Sequence, residues 1–70
     1  MDKVDKLAYE IEAMVDRNSM ARVLDLLAIM CAMKADHIHS NWGDRNLAKA
    51  WTQLAEKVAK ACAFAEQQQL

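Results

Sequence analysis

The side chains best suited to hold a metal ion are two histidines close to an aspartate. Asp36, His37 and His39 fall within four consecutive positions of the 70-residue chain. Residues i and i+2 of a helix point about 200° apart, whereas metal-binding helices place their ligands at i and i+3 or i+4. We therefore expect no metal site on this helix. A site stays open as an alternative only if the helix ends before His37 or a second chain supplies ligands.

The two cysteines are the strongest nucleophiles in the sequence. If the chain reverses direction near Gly43, Cys31 lies opposite about residue 54, and Cys62 lies about 12 Å further along the helix. A disulfide requires Cα atoms within about 7 Å of each other. The spacing therefore predicts two free, buried thiols in a reducing compartment.

No pattern typical of a catalytic site is present. The sequence has no glycine-rich phosphate loop, no His-Glu-x-x-His and no Gly-x-Ser-x-Gly motif. Glu10 and Glu12 diverge on a helix because they are two positions apart, and Glu56 is a single carboxylate among lysines. We expect a non-enzymatic protein that needs no cofactor.

Composition restricts the fold that must position these groups. One glycine and no proline leave almost no turn residues for a β-rich fold, and the abundant Ala, Leu, Met, Lys, Glu and Gln favour helices. No run approaches the roughly 18 apolar residues of a membrane span. The charged N-terminal residues are unlike a secretion signal. These features predict a single all-α domain over residues 1–70, located in the cytoplasm.

Hydrophobic periodicity predicts three helices, over about residues 3–16, 20–40 and 45–67. Asp2 is the expected N-cap of the first helix. The break after this helix covers residues 17–19, where Asn18 tolerates a left-handed conformation and Ser19 is the expected N-cap of the second helix. Gly43 is expected to end the second helix. The third helix then begins after Asp44. Residues 67–70 are expected to fray.

Short connections predict antiparallel neighbours and a long hairpin of helices two and three. Helix one is expected to fold back over residues 20–34, which leaves the far end of the hairpin uncovered. We predict that an interaction patch includes seven apolar residues of helices two and three: Leu26, Ile29, Met33, Ile38, Trp42, Leu47 and Trp51. The surplus apolar surface predicts a homodimer and a helical bundle. Crossing of helix one onto the second subunit stays open as an alternative.

Charge favours a protein partner over nucleic acid. The net charge is −2 over residues 1–17, zero over 18–43 and +1 over 44–70, which is unlike a nucleic-acid-binding module. Helix three nevertheless carries four basic residues that would face an anion: Arg45, Lys49, Lys57 and Lys60. We therefore expect a non-catalytic adaptor, inhibitor or regulatory subunit. A small nucleic-acid-binding regulator is the alternative, followed by a metal-binding protein or small enzyme.

Overall fold

The computed structural model describes residues 5–70, which form three α-helices and no strand. Helix α1 spans Lys6–Asn18, α2 spans Met20–Trp42 and α3 spans Arg45–Gln67. This confirms the prediction of an all-α chain with a short N-terminal helix and two long helices. The observed bounds differ from the predicted ones by three residues at most.

Side-chain capping sets the start of α1. The Asp5 carboxylate accepts a hydrogen bond from the Leu7 backbone N–H at 2.9 Å, so the helix begins at Lys6 rather than near residue 3. The predicted cap, Asp2, lies outside the described residues. The same is true of Val4, which helical periodicity predicts on the apolar face of the first helix with Leu7 and Ile11.

Ser19 is the one residue between α1 and α2. Its hydroxyl accepts from the Arg22 N–H at 3.1 Å, which confirms it as the N-cap of α2. Its backbone has φ 101° and ψ 153°, a region that is occupied almost only by glycine. Asn18, a residue type that tolerates a left-handed conformation, does not adopt one, and the positive φ occurs at Ser19 instead. Asn18 is the last residue of α1, and its amide donates to the Met14 carbonyl at 2.9 Å.

The connection between α2 and α3 consists of the predicted helix-ending glycine followed by the predicted N-cap of α3. Gly43 has φ 66° and donates its N–H to the His39 carbonyl at 3.1 Å, so it ends α2 in a left-handed conformation. The Asp44 carboxylate accepts from the Leu47 N–H at 3.0 Å and caps α3. Two residues therefore reverse the chain and produce an antiparallel hairpin.

Small side chains form the contact between the two long helices. The buried residues of the hairpin are all valine, cysteine or alanine: Val23, Cys31, Ala35, Ala48, Cys62 and Ala65. The larger apolar side chains of α3 are only partly buried, since Trp51 and Val58 are half-buried and Leu47 and Leu54 are exposed. Two helices bury only the line along which they touch, so the larger side chains beside that line remain in solvent.

Helix α1 does not fold back onto the hairpin, and the predicted cover over residues 20–34 is wrong. Within residues 5–70, no Cα atom of α1 comes within 8 Å of α3, and no residue of α1 is buried. Only Val15, near the connection, is even half-buried. The cause is the length of the connection, because two antiparallel helices need a loop of about two to five residues.

The end of the chain is also more ordered than its sequence predicts. We expected residues 67–70 to fray, but α3 includes Gln67, and the Leu70 N–H donates to the Ala65 carbonyl at 2.9 Å. The Leu70 carbonyl accepts from the Met20 N–H at 2.7 Å. This bond supplies a partner for one of the N–H groups that every helix N-terminus leaves open.

Candidate interaction surface

The apolar face of α1 is exposed along its whole length. Leu7 is 60% and Ile11 51% exposed, and Met14 continues the same face at helical spacing. Glu10 lies on one flank of this face and Glu12 on the other, at about 100° per residue. The helix therefore presents an apolar stripe with a carboxylate on each side.

One broad side of the hairpin is apolar and lies where α2 and α3 meet. The Lys34 ammonium lies 5.5 Å from the centre of the Trp51 ring, which places these two positions on the same side. Leu27 and Met30 precede Lys34 by seven and four positions, and Leu54 follows Trp51 by three, so helical spacing brings them to this side too. Leu54 is 44% exposed, and Leu27 and Met30 are similarly accessible. We call this side the apolar groove, formed by Leu27, Met30, Lys34, Leu47, Trp51, Leu54 and Val58.

The predicted interaction patch is divided between different sides of the hairpin. Leu26, Ile29 and Met33 point about 170° away from Cys31 and Ala35, the α2 residues that are buried against α3. They form an outer stripe on α2, and Met33 is 54% exposed. Leu47 and Trp51 belong to the apolar groove, and Ile38 is half-buried on that side. The seven residues therefore do not form one continuous patch.

Trp42 is the most exposed large apolar side chain at the tip of the hairpin. It is the last residue of α2 and is 79% exposed. Trp51, by contrast, is half-buried, and the Lys34 ammonium lies over the face of its ring. The two tryptophans thus differ in accessibility, a difference that their positions in the sequence do not reveal.

The opposite side of the hairpin is polar. It contains a shallow, open depression of about 490 Å³ with alanines on its floor and charged side chains on its margins. Of the four basic residues predicted to face an anion, the structure brings Arg45 and Lys49 to this depression. Its lining is Ala32, Ala35, Asp36, His39, Arg45, Ala48, Lys49 and Thr52.

The remaining basic residues do not extend this depression into a continuous basic surface. Lys60 lies on the same row of α3 as Lys49, but Gln53 and Glu56 occupy the positions between them. Lys57 points toward the edge of the apolar groove, beside Leu54. An extended anion such as a nucleic-acid backbone would therefore meet a carboxylate in the middle of the row.

The histidines and cysteines are separate from one another. His37 and His39 are both exposed, and no group of three or more His, Cys, Asp or Glu side chains within residues 5–70 is arranged to hold a metal ion. Both cysteines are free and buried, as predicted. The Cys62 thiol donates to the Ala21 carbonyl with an Sγ–O distance of 3.2 Å. Burial raises the pKa of this thiol, and Glu66 and Asp25 raise the pKa further.

Sequence reasoning missed the apolar face of α1 and much of the apolar groove. Both were expected to be buried, because α1 was expected to cover the hairpin. The length of the predicted break does not expose the error, because the three residues 17–19 are enough for a helical hairpin. Helix α1 continues through Asn18, so one residue remains to connect the helices.

No protein-family model matches the chain, and no curated protein or solved structure shows significant similarity to it. Within the part of the chain that the structure describes, no helix has the length and apolar character required to cross a bilayer.

Proposed function

We propose that this chain is a small non-catalytic interaction protein that buries apolar helix faces against other chains, and that its first partner is a second copy of itself. One observation carries the proposal. No side chain larger than valine is buried within residues 5–70, whereas large apolar side chains of all three helices are exposed. Apolar area on this scale is typical of protein interfaces rather than of monomer surfaces.

The total surface area supports the same proposal. The accessible surface of the chain is 5547 Å², whereas a compact monomer of this mass exposes about 4,400 Å². The difference of about 1,100 Å² exceeds the roughly 800 Å² that each partner buries in a standard interface. A second copy would therefore find enough surface without any rearrangement of the hairpin.

Two further features fit this role. The free cysteines are compatible with a reducing compartment, which supports the cytoplasmic location that we propose. Trp42 and the outer stripe of α2 (Leu26, Ile29 and Met33) lie outside the apolar groove. They are the surface on which we expect an adaptor, inhibitor or regulatory subunit to meet another protein.

The nucleic-acid alternative receives less support. The basic row of α3 is interrupted by Glu56, and the net charge of the chain is −1. Retention on DNA or RNA that falls steeply with salt would favour this alternative, because phosphate contacts release counterions. We do not expect such retention.

The dependence of the unfolding temperature on protein concentration tests the proposal. Association stabilises the folded chain by mass action, so the midpoint of thermal unfolding should rise by several degrees over a hundredfold increase in concentration. Circular dichroism in cells of different path length measures it on reduced protein. A midpoint that stays constant over this range would contradict self-association.

A further inference from the structure

The connection between α1 and α2 separates two apolar surfaces that match each other. A single residue, Ser19, joins the helices, whereas two residues, Gly43 and Asp44, reverse the chain between α2 and α3. Because one residue is too short for a helical hairpin, α1 cannot lie antiparallel on its own α2. The apolar face of α1 and the apolar groove therefore both remain open in one chain.

The apolar groove is lined by two helices, and α1 could pack against it as a third. Three packed helices enclose the side chains that two helices leave at the edges, which here are Leu27, Met30 and Leu54. Helix α1 has 13 residues and is about 20 Å long, while the 23-residue helices of the hairpin extend about 34 Å. The α1 helix therefore fits within the length of the groove.

Charge is complementary between the two surfaces. Residues 5–18 carry a net charge of −2, from four acidic and two basic side chains, and Glu10 and Glu12 flank the apolar face. The charged side chains on the groove side of the hairpin are Lys34 on α2 and Lys57 on α3. Helical spacing places the acidic residues of α2 and α3 on other sides: Asp25, Asp36, Glu56 and Glu66. The acidic amphipathic helix α1 is thus complementary to an apolar groove with basic margins.

We propose that two copies of this chain exchange their α1 helices, so that α1 of each copy fills the apolar groove of the other. Leu7, Ile11 and Met14 then pack against the groove, and Glu10 and Glu12 face its lysines. This arrangement rests on the proposed self-association and specifies its geometry. Because the exchange is reciprocal, both α1 helices and both grooves of the pair are filled, which closes the assembly at two chains. The strained Ser19 serves as the hinge, as short strained connections do in exchanged dimers.

Paired substitutions in α1 provide the first test. Ile11→Asp places a carboxylate in the middle of the apolar face, and Ala13→Asp places the same group about 160° away on the other side of α1. We expect Ile11→Asp to raise the dimer dissociation constant by about tenfold or more, because a buried unpaired charge is costly. Ala13→Asp should leave the dissociation constant within about threefold of the original.

A second pair addresses the groove. Leu54→Asp introduces a carboxylate into the apolar groove. Ala63→Asp is the matched control, because it introduces the same group on the opposite side of α3. We expect Leu54→Asp, but not Ala63→Asp, to weaken the dimer as strongly as Ile11→Asp does. Since Ile11 and Leu54 are both exposed within one chain, neither change should unfold the hairpin, and far-ultraviolet circular dichroism verifies this.

Mixing the two weakened variants separates exchange from other modes of association. A chain with Ile11→Asp retains an intact groove, and a chain with Leu54→Asp retains an intact α1. In the mixed dimer, the intact α1 of one chain therefore occupies the intact groove of the other. Both substitutions fall in the second pairing of α1 and groove, which either substitution alone is expected to disrupt. Light scattering after size exclusion should show dimers in the mixture at concentrations where each variant alone is monomeric.

The outcomes distinguish this inference from the proposed function. If the original chain is a dimer but Ile11→Asp dimerises equally well, exchange is wrong while self-association stands. If mixing restores no dimer, α1 does not occupy the groove of the other copy, and exchange is again wrong. If the original chain is monomeric at every concentration, self-association itself fails.

Discussion

At the scale of single residues, Ser19 carries two opposing effects. Its hydroxyl caps α2, which stabilises the helix by about 1 kcal/mol. Its backbone conformation, with φ 101° and ψ 153°, costs a residue other than glycine about 1–3 kcal/mol. The strain therefore falls on the residue that joins α1 to the hairpin.

Substitutions at Ser19 separate the cap from the strain. Ser19→Ala removes the hydroxyl and keeps the strained backbone, so we expect the free energy of unfolding to fall by about 1 kcal/mol. Ser19→Gly loses the hydroxyl but relieves the strain, and glycine is itself a tolerated N-cap. We expect this variant to be at least as stable as the original chain.

Urea unfolding at one fixed protein concentration, followed by circular dichroism, measures both variants. We expect the free energy of unfolding to be higher for Ser19→Gly than for Ser19→Ala. The original chain should have a free energy of unfolding equal to or lower than that of the glycine variant. Equal stability of the alanine and glycine variants would contradict strain at this position.

Residues with strong local signals were predictable from the sequence. Gly43 ends α2 and Asp44 caps α3 as expected, because each conformation depends on the residue itself and its immediate neighbours. The end of α1 was less predictable, because Asn18 tolerates a left-handed conformation but does not adopt one. Helix α1 continues two residues beyond its predicted end at residue 16, which shortens the connection from three residues to one, too few for α1 to fold back.

At the scale of the elements, helical periodicity identified three helices. The sequence of α1 alone did not indicate which surface its apolar face packs against. The amphipathic pattern of Leu7, Ile11 and Met14 predicts that this face is to be buried. The pattern does not say which chain buries it. The residues of the predicted patch lie close together along the hairpin but on different sides of it, so their positions along the helices did not place them on one surface.

The last three residues connect the end of α3 to the start of α2. A chain shortened to residue 67 loses the bond between the Leu70 carbonyl and the Met20 N–H, along with the turn that follows α3. We expect the free energy of unfolding to fall by about 1 kcal/mol, the usual net contribution of a hydrogen bond. Gln68→Ala is the control, since it changes a side chain and keeps the backbone.

Denaturation in urea under identical conditions compares these two variants with the original chain. Stability that is unchanged after removal of residues 68–70 would mean that the turn contributes nothing to the hairpin.

At the scale of the whole molecule, the chain is too open for its size. The radius of gyration is 14.4 Å, whereas a compact chain of 70 residues has about 11 Å, and the extents are 38 × 34 × 17 Å. Small chains of this kind gain stability from a disulfide, a metal or a partner subunit. The cysteines are free, and the histidines of residues 5–70 form no metal site, so a partner subunit is the route that we propose.

Sedimentation equilibrium of the reduced protein, over a wide concentration range between about pH 6 and pH 8, tests this central claim most directly. The account predicts a reversible equilibrium between monomer and dimer, with twice the chain mass of 7.9 kDa at high concentration. A well-folded species with the mass of one chain at every concentration would contradict it.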